Sequence, residues 1–181
     1  MSDGVVKDLY LESLASEIPA VPEEAVGFYK QNCMVCLGNQ NHQSGVELKV
    51  LHSDSHDIFA ICWEGDVTDE LRRAYADLVR ATDNAACAIA LLIIREITDM
   101  TAIEQAIRGT TVDYYLSHRQ QSDELIFNRA ARLEVSGILH ENESNTINAR
   151  ISERKNRLKP GLPTYIIVVE FSNPISKVVE V

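Results

Sequence analysis

The sequence feature that most restricts the fold is an almost continuous apolar run near the C-terminus, Leu162–Phe171. Four successive aliphatic residues, Ile166–Val169, occupy its centre, and polar and apolar side chains do not alternate there. A strand of this kind is covered on both faces, as a central strand is when helices pack on either side of the sheet. The run therefore predicts an α/β fold with a mixed central sheet flanked by helices.

Three further strands are predicted upstream of this run. Thr101–Ile107 alternates between two sets of side chains, and Thr111–Leu116 is rich in β-branched and aromatic residues. A polar loop, Ser117–Glu124, then leads to a third strand within Phe127–Leu139. Short connections between the three strands favour a meander.

Two helices complete the core. Thr68 is a suitable N-cap for a long helix, which we expect to break near Thr82-Asp83-Asn84 because three poor helix formers occur together there. A second helix is predicted over Asn145–Leu158, ended by Pro160 and the following glycine. The predicted order is therefore helix, strand, strand, strand, helix, strand, an αβββαβ core.

An N-terminal helix and a β-hairpin precede this core. Pro22 opens the helix, which runs to about Cys33 or Cys36. The alternating segment Val46–Leu51 and the apolar segment Ile58–Trp63 then form the hairpin. We expect 1–181 to be a single domain, with an acidic extension over 1–66 and the αβββαβ core over 67–172.

Composition and charge exclude several classes of protein. The 45% hydrophobic content is typical of a globular chain, and no uncharged apolar run approaches the roughly 18 residues that cross a bilayer. The N-terminus has no signal-peptide pattern, so we expect a cytoplasmic protein with no membrane partner. The net charge of −10 disfavours nucleic acid unless positive charge is gathered locally. A homodimer, or a protein partner that supplies positive charge, is the expectation.

Two carboxylates on neighbouring predicted strands are the strongest chemical signal. Asp113 lies in the second strand of the core, and Glu134 lies in the third, where it shares a face with Arg132 and Ser136. A carboxylate among apolar neighbours is costly to bury unless it is paired with a cation. Paired carboxylates suit Mg²⁺, which can polarise a phosphoryl group and activate water.

The αβββαβ order, with Gly109-Thr110-Thr111-Val112-Asp113 on the second strand and Arg132-Leu133-Glu134-Val135-Ser136 on the third, resembles the PD-(D/E)xK, or restriction-endonuclease-like, nuclease superfamily. The resemblance covers roughly 68–172 and rests on a short motif. It implies a metal-dependent phosphodiesterase that binds Mg²⁺ or Mn²⁺ through Asp113 and Glu134. A further acid, Glu96 near the end of the first helix or Glu104 on the first strand, would assist.

The chain departs from this family pattern at the position two residues after the glutamate, where the superfamily has a lysine and this chain has Ser136. Some members supply the basic group from the following helix, and here Arg150, Arg154 and Lys155 are available for that role. The candidate catalytic set is therefore Asp113, Glu134, Ser136 and Lys155. Two stretches, Arg132–Ile138 and Val168–Pro174, also resemble bacterial proteins of similar size, from which no activity follows.

A catalytically inactive module of the same fold that binds a protein partner is the alternative. In it, Asp113 pairs with Arg132, and Glu134 pairs with Arg108 or Arg129, as ion pairs on the sheet face. Loss of the motif lysine and the net charge of −8 over 1–66 both favour this alternative.

The remaining candidate sites involve cysteine and histidine. Cys33 and Cys36, with His42 nearby, could form part of a zinc site, which would need Cys62 or a histidine such as His52 or His56 as a fourth ligand. Buried thiols at a helix end are the favoured interpretation. His118 and His140 flank the third core strand, where a general base is the less favoured alternative to a solvated histidine.

Overall fold

The computed structural model describes residues 6–119 and 128–181. Over these ranges the protein is α/β, with one mixed sheet of eight strands in the spatial order β1-β3-β2-β8-β7-β6-β5-β4. The strands are Lys7–Tyr10 (β1), Val46–His52 (β2), Ser55–Cys62 (β3), Met100–Gln105 (β4), Tyr114–His118 (β5), Ala131–Ile138 (β6), Thr164–Glu170 (β7) and Ile175–Glu180 (β8). The helices are Leu14–Glu17 (α1), Glu23–Asn39 (α2), Asp69–Ala74 (α3), Leu78–Ile97 (α4) and Ile147–Arg157 (α5), with a short 3-10 turn at Leu11–Ser13.

Strand β7 is covered on both faces, as its composition predicts. Ile167 and Val169 belong to the main core, which α2 and α4 cover. Ile166 and Val168 point to the opposite face and pack against Ile147 and Ile151 of α5. The period of two along the strand thus assigns α4 and α5 to opposite sides of the sheet.

The predicted αβββαβ order is present as α4-β4-β5-β6-α5-β7. Strands β4, β5 and β6 form an antiparallel meander, and β7 lies parallel to β6 after the crossover through α5. The start of the predicted strand at Phe127, and most of the predicted polar loop Ser117–Glu124, lie outside the described residues.

The predicted helix break is misplaced. The chain breaks at Tyr75–Asp77, where the Asp77 carboxylate caps α4 by accepting from the Arg80 amide at 3.2 Å. Helix α4 continues through Thr82, whose hydroxyl donates to the Leu78 carbonyl at 2.6 Å. A hydroxyl satisfied inside the helix no longer competes with the backbone, so the expected break does not occur.

The N-terminal region is part of the same sheet. The predicted hairpin is present as β2 and β3. Two strands that were not predicted flank it: β1 pairs in parallel with β3 at the edge of the sheet, and β8 lies between β2 and β7 and joins the hairpin to the central strands. The acidic region therefore extends the central sheet through β8.

Gly137 allows α4 to lie close against β6. A Cβ at this position would stand 2.6 Å from the Thr82 carbonyl oxygen and 2.7 Å from Thr82 Cγ2. Contacts this short are not available to a side chain, so glycine is required by the close approach of strand and helix. Asp83 follows Thr82 on α4, so this close contact also holds Asp83 beside β6.

Candidate functional site

Asp113 and Glu134 come together where β5 begins. Tyr114 pairs with Leu133 in the antiparallel ladder, and one further step in that register sets Asp113 opposite Glu134. Asp113 lies just before the strand, and its Oδ2 accepts a hydrogen bond from the Val135 amide at 2.8 Å. The Asp113 side chain therefore bonds a β6 amide just before β5 begins, which fixes its carboxylate beside that of Glu134.

The two carboxylates perturb each other strongly. The pKa of Glu134 is raised to about 8, first by burial and then by the nearby charge of Asp113, against the opposing effect of Arg154. Burial also raises the pKa of Asp113, against the hydrogen bonds from the Val135 amide and from Glu134. The pair accordingly shares a proton near neutral pH, because two adjacent buried carboxylates resist simultaneous ionisation.

Arg154 of α5 is the cation at this pair. Its Nη1 lies 3.0 Å from Glu134 Oε1, and its Nη2 donates to Ser136 Oγ at 3.3 Å. Its Nε is buried without a hydrogen-bond partner among the described residues. One guanidinium therefore bonds both the motif glutamate and the serine that replaces the motif lysine.

Asp83 is a site residue that the sequence analysis did not single out. Partial burial raises the pKa of this carboxyl, Arg154 and Arg150 lower it, and the charge of Asp113 raises it. A third carboxylate, contributed by α4, therefore lies within electrostatic range of the pair. No local sequence pattern marks Asp83 as a site residue, because its position depends on how closely α4 packs against β6.

A buried chain of polar groups supports the pair from the α2 and α4 side. The Tyr29 and Tyr114 hydroxyls are 2.7 Å apart, and Cys87 lies near enough to Tyr114 for each to affect the pKa of the other. Burial raises the pKa of Cys87 well above its ordinary value, and the charge of Asp113 adds to the effect. Cys87 is therefore a protonated, uncharged neighbour of the carboxylates.

A polar cavity of about 610 Å³ opens onto the pair. Its walls are the loop between β4 and β5, the two carboxylates and two arginines of α5; the lining residues are Gln105–Asp113, Glu134, Arg154 and Arg157. The volume falls within the range of about 300–1,000 Å³ that is usual for ligand sites. Arg108 and Arg157 add positive charge at its rim.

The structure does not bring Glu96 or Lys155 to this cavity. Glu96 is thirteen residues beyond Asp83 on α4, about 20 Å along the helix, and pairs with Lys7 and Arg95. Lys155 is exposed and borders a separate surface cavity with Arg132. Lys155 follows Arg154 directly, so its side chain is rotated about 100° around the helix from the arginine that does reach the pair.

The alternative sheet-face ion pairs are also not formed as expected. Arg129 makes a bidentate bond to Glu104, at 2.9 and 2.7 Å, and its guanidinium carbon lies 3.8 Å from the centroid of the Tyr115 ring. Arg132 donates from Nε to the Leu162 carbonyl at 3.1 Å and to a neighbouring hydroxyl. Glu134 is paired with α5 instead.

The cysteines and histidines are placed elsewhere. Cys33 and Cys36 are buried against α4, where they contact the Ala85 carbonyl at 3.4 Å and the Thr82 hydroxyl at 3.7 Å. Burial raises the pKa of Cys36 to about 11. His42 bonds the Ser172 carbonyl at 3.0 Å. These contacts match the favoured interpretation of buried thiols. His118 bonds Asp99 at 2.7 Å, and His140 is exposed.

No group of three or more His, Cys, Asp or Glu side chains that could hold a metal ion is found within residues 6–119 and 128–181. The predicted set of Asp113, Glu134 and Glu96 is therefore not assembled. Two of its members are adjacent and the third lies at the far end of α4.

Comparison of the chain with protein-family models, curated proteins and solved structures finds no match. None of the helices in the described ranges combines the length and apolar character needed to cross a bilayer. The chemistry of the site must consequently be inferred from its own geometry: two proton-sharing carboxylates, an arginine bonded to one of them, and a polar cavity with a cationic rim.

Proposed function

We propose that this protein is a divalent-metal-dependent phosphodiesterase of the PD-(D/E)xK type, with Asp113 and Glu134 as the metal-binding carboxylates. The observation that supports this proposal best is the double contact of Arg154. Its guanidinium bonds Glu134 and also Ser136, the position from which the superfamily's lysine acts. The cation lost from the motif is thus replaced in space by a cation from the following helix.

The residues present fit Mg²⁺ or Mn²⁺. Two adjacent buried carboxylates repel one another, and a divalent cation relieves that repulsion as the shared proton does. Magnesium commonly uses one or two protein carboxylates and keeps several waters, so a third protein ligand is not required. When bound, the cation would polarise a phosphoryl oxygen and lower the pKa of a water molecule.

The protein's own groups have separable roles in this proposal. Arg154 stabilises negative charge on the phosphoryl oxygens, because guanidinium donors match them in geometry and carry a fixed charge. Its buried Nε is still free to donate within the described structure. Ser136 positions Arg154 by accepting from Nη2. The Val135 amide positions Asp113 in the same way.

The test is cleavage of a panel of end-labelled single- and double-stranded DNA and RNA by the full chain, with Mg²⁺, Mn²⁺ or EDTA. Cleavage should require the metal and should fall about 100-fold or more in Asp113→Asn and in Glu134→Gln. Glu47→Gln, which removes an exposed carboxylate from strand β2, is the matched control and should stay near the wild-type rate. A wild type that cleaves nothing and binds no Mn²⁺ by calorimetry would refute the proposal.

A second candidate function is the catalytically inactive interaction module. The observation that favours it is that the negative charge of the two carboxylates is already cancelled by the shared proton and by Arg154, so that no metal ion is needed for charge balance. Calorimetry separates the candidates: the module binds no divalent cation at pH 8, where the pair carries more negative charge than at neutral pH, whereas the phosphodiesterase does.

A further inference from the structure

One side of the sheet is covered at one end and exposed at the other. Over β6, β7 and β8 this side packs against Ile147 and Ile151 of α5, and the packed cluster extends to Ile175 in β8. Ile175 pairs with Lys49 of β2, so Lys49 points to the same side. From β2 to β1 the positions on this side are mostly exposed, whereas their neighbours along the strands, such as Phe59, point into the main core. We call the exposed region, formed by β2, β3 and β1, the N-terminal face.

The N-terminal face carries exposed apolar side chains that lie close together. Ile58 pairs with Lys49 in the β2–β3 ladder and is 40% exposed, and Tyr10 pairs with Cys62 in the β1–β3 ladder and is 51% exposed. Val6, one residue before β1, is 38% exposed and shares the side of Tyr10 by the period of two. Three of the eight exposed large hydrophobic side chains in the described ranges therefore belong to one face, and such clustering is typical of an interaction surface.

Two opposite charges lie beside these apolar side chains on β2. Glu47 pairs with Ala60 of β3, and Lys49, two residues further on, pairs with Ile58, so the four residues form two neighbouring rows on the N-terminal face. Glu47 and Lys49 are exposed, and neither side chain forms an ion pair or a hydrogen bond within the described part of the chain. One row thus joins a carboxylate to a small side chain, and the other joins an ammonium group to a large one. The two rows are complementary in charge and in size.

We propose that a second copy of this chain packs on the N-terminal face, about a two-fold axis that lies in the interface, perpendicular to the strands, and passes between the two rows. A two-fold contact uses the same patch on both copies, so the patch must be complementary to itself. This axis sets Glu47 of each copy against Lys49 of the other, and Ile58 of each copy against Ala60 of the other. The strands of the two sheets then lie within about 30° of a common direction, as is usual for sheets packed face to face.

The size and charge of the N-terminal face predict a weak dimer. Three strands about 4.8 Å apart, with four outward rows about 6.7 Å apart, give about 400 Å² per copy, against about 800 Å² in stable complexes. The net charge of −8 over 1–66 also opposes association, and Asp8 adds a carboxylate to the face. We therefore expect a dissociation constant in the micromolar range or above. At the nanomolar protein concentrations of an activity assay the chain is a monomer, so this inference is independent of the proposed function.

The experiment is sedimentation velocity of the full chain between about 1 and 500 µM. The weight-average mass should rise from that of one chain towards that of two. Ile58→Asp should weaken association about 10-fold or more, because the new carboxylate is buried against the other copy. Val79→Asp is the matched control: it places the same charge at an aliphatic position of α4 that is 79% exposed, and it should associate as the wild type does. Urea unfolding of both variants checks that the fold is kept.

A charge exchange tests the two-fold arrangement itself. Glu47→Lys and Lys49→Glu each set like charges against one another and should each weaken association about 5-fold or more. The double variant re-forms both pairs with the charges exchanged, so it should associate within about 3-fold of the wild type. General repulsion between acidic chains predicts the opposite for Glu47→Lys, which lowers the net negative charge. A wild type that stays monomeric at the highest concentration, tighter association of Glu47→Lys, or a double variant no better than the single ones would overturn the inference.

Discussion

Arg154 donates to Ser136 across a separation of eighteen residues, at 3.3 Å between Nη2 and Oγ. The same guanidinium pairs with Glu134 through Nη1. A helix and a strand that are connected only through a loop thus assemble one carboxylate–guanidinium–hydroxyl unit. The unit is partly shielded from solvent, since the Glu134 side chain is 8% exposed and that of Arg154 is 19% exposed.

The first prediction separates Arg154 from its neighbour in sequence. Arg154→Ala should lower metal-dependent cleavage about 100-fold, and Arg154→Lys should restore part of it because one charge returns without the bidentate geometry. Lys155→Ala removes the same charge from the same helix and should change the rate less than about 2-fold, since Lys155 faces another cavity. Rates on the best substrate of the panel provide the measurement. Equal losses in Arg154→Ala and Lys155→Ala would show that only the general charge of α5 matters.

The second prediction concerns pH. The folded protein keeps a proton on Glu134 up to about pH 8, whereas the unfolded chain releases it near 4.5. The free energy of unfolding should therefore decrease as pH rises between these values, by on the order of a few kcal/mol, since each unit of pKa is worth about 1.4 kcal/mol. Urea unfolding at several pH values measures this. In Glu134→Gln the decrease should be much smaller, and Glu104→Gln should follow the wild type.

Added Mn²⁺ should restore part of the free energy of unfolding that is lost as the pH rises. Metal binds the ionised carboxylates, so it should stabilise the wild type more at pH 8 than at pH 6 and should displace a proton on binding. Calorimetry in two buffers of different ionisation enthalpy detects the released proton. Binding that releases no proton would place the metal away from the pair.

The third prediction tests the contact between β6 and α4. Gly137→Ala should destabilise the fold by about 1–3 kcal/mol, because the added methyl group meets the backbone oxygen of Thr82 and neither element can move freely. Gly27→Ala is the matched control: a Cβ there has nothing within 4 Å, and α2 should gain up to about 1 kcal/mol. Thermal or urea unfolding compares the two variants. A Gly137→Ala protein as stable as the wild type would contradict the tight packing.

The fourth prediction concerns the turn between β7 and β8. The buried Glu170 carboxylate accepts from three backbone amides and from the Ser172 hydroxyl; the amides are those of Glu141, Ser172 and Asn173. Glu170→Ala leaves these donors without their acceptor and should destabilise the protein by about 3 kcal/mol or more. Glu47→Ala, at an exposed position of β2, should change stability by less than about 0.5 kcal/mol.

Much of the core could be predicted because its elements have strong local signals. The uninterrupted apolar residues of β7 required two covered faces, and Thr68 and Pro22 marked helix starts that the structure confirms. The strands β1 and β8 were missed for a physical reason. Only Leu9 is buried in β1, and in β8 the buried positions are Ser176 and Val178, so neither strand shows an apolar alternation.

The site was predictable only where strand pairing alone determines it. Asp113 and Glu134 could be paired from the meander and the period of two. Choosing between Arg154 and Lys155 depends on which face of α5 packs on the sheet. Arg154 lies seven residues, or about two turns, after the buried Ile147 and so shares its face, whereas Lys155 does not. Asp83 could not be found from local sequence, because its position depends on how closely Gly137 lets α4 approach β6.

The position of β8 between β2 and β7 has a consequence for synthesis on the ribosome. Strands β2 and β3 leave the exit tunnel early, but the hydrogen-bonding edge of β2 remains open until β8 has been translated and has docked. An exposed edge of this kind invites pairing with other chains, so we expect the nascent chain to be most prone to misassembly in the interval before β8 docks.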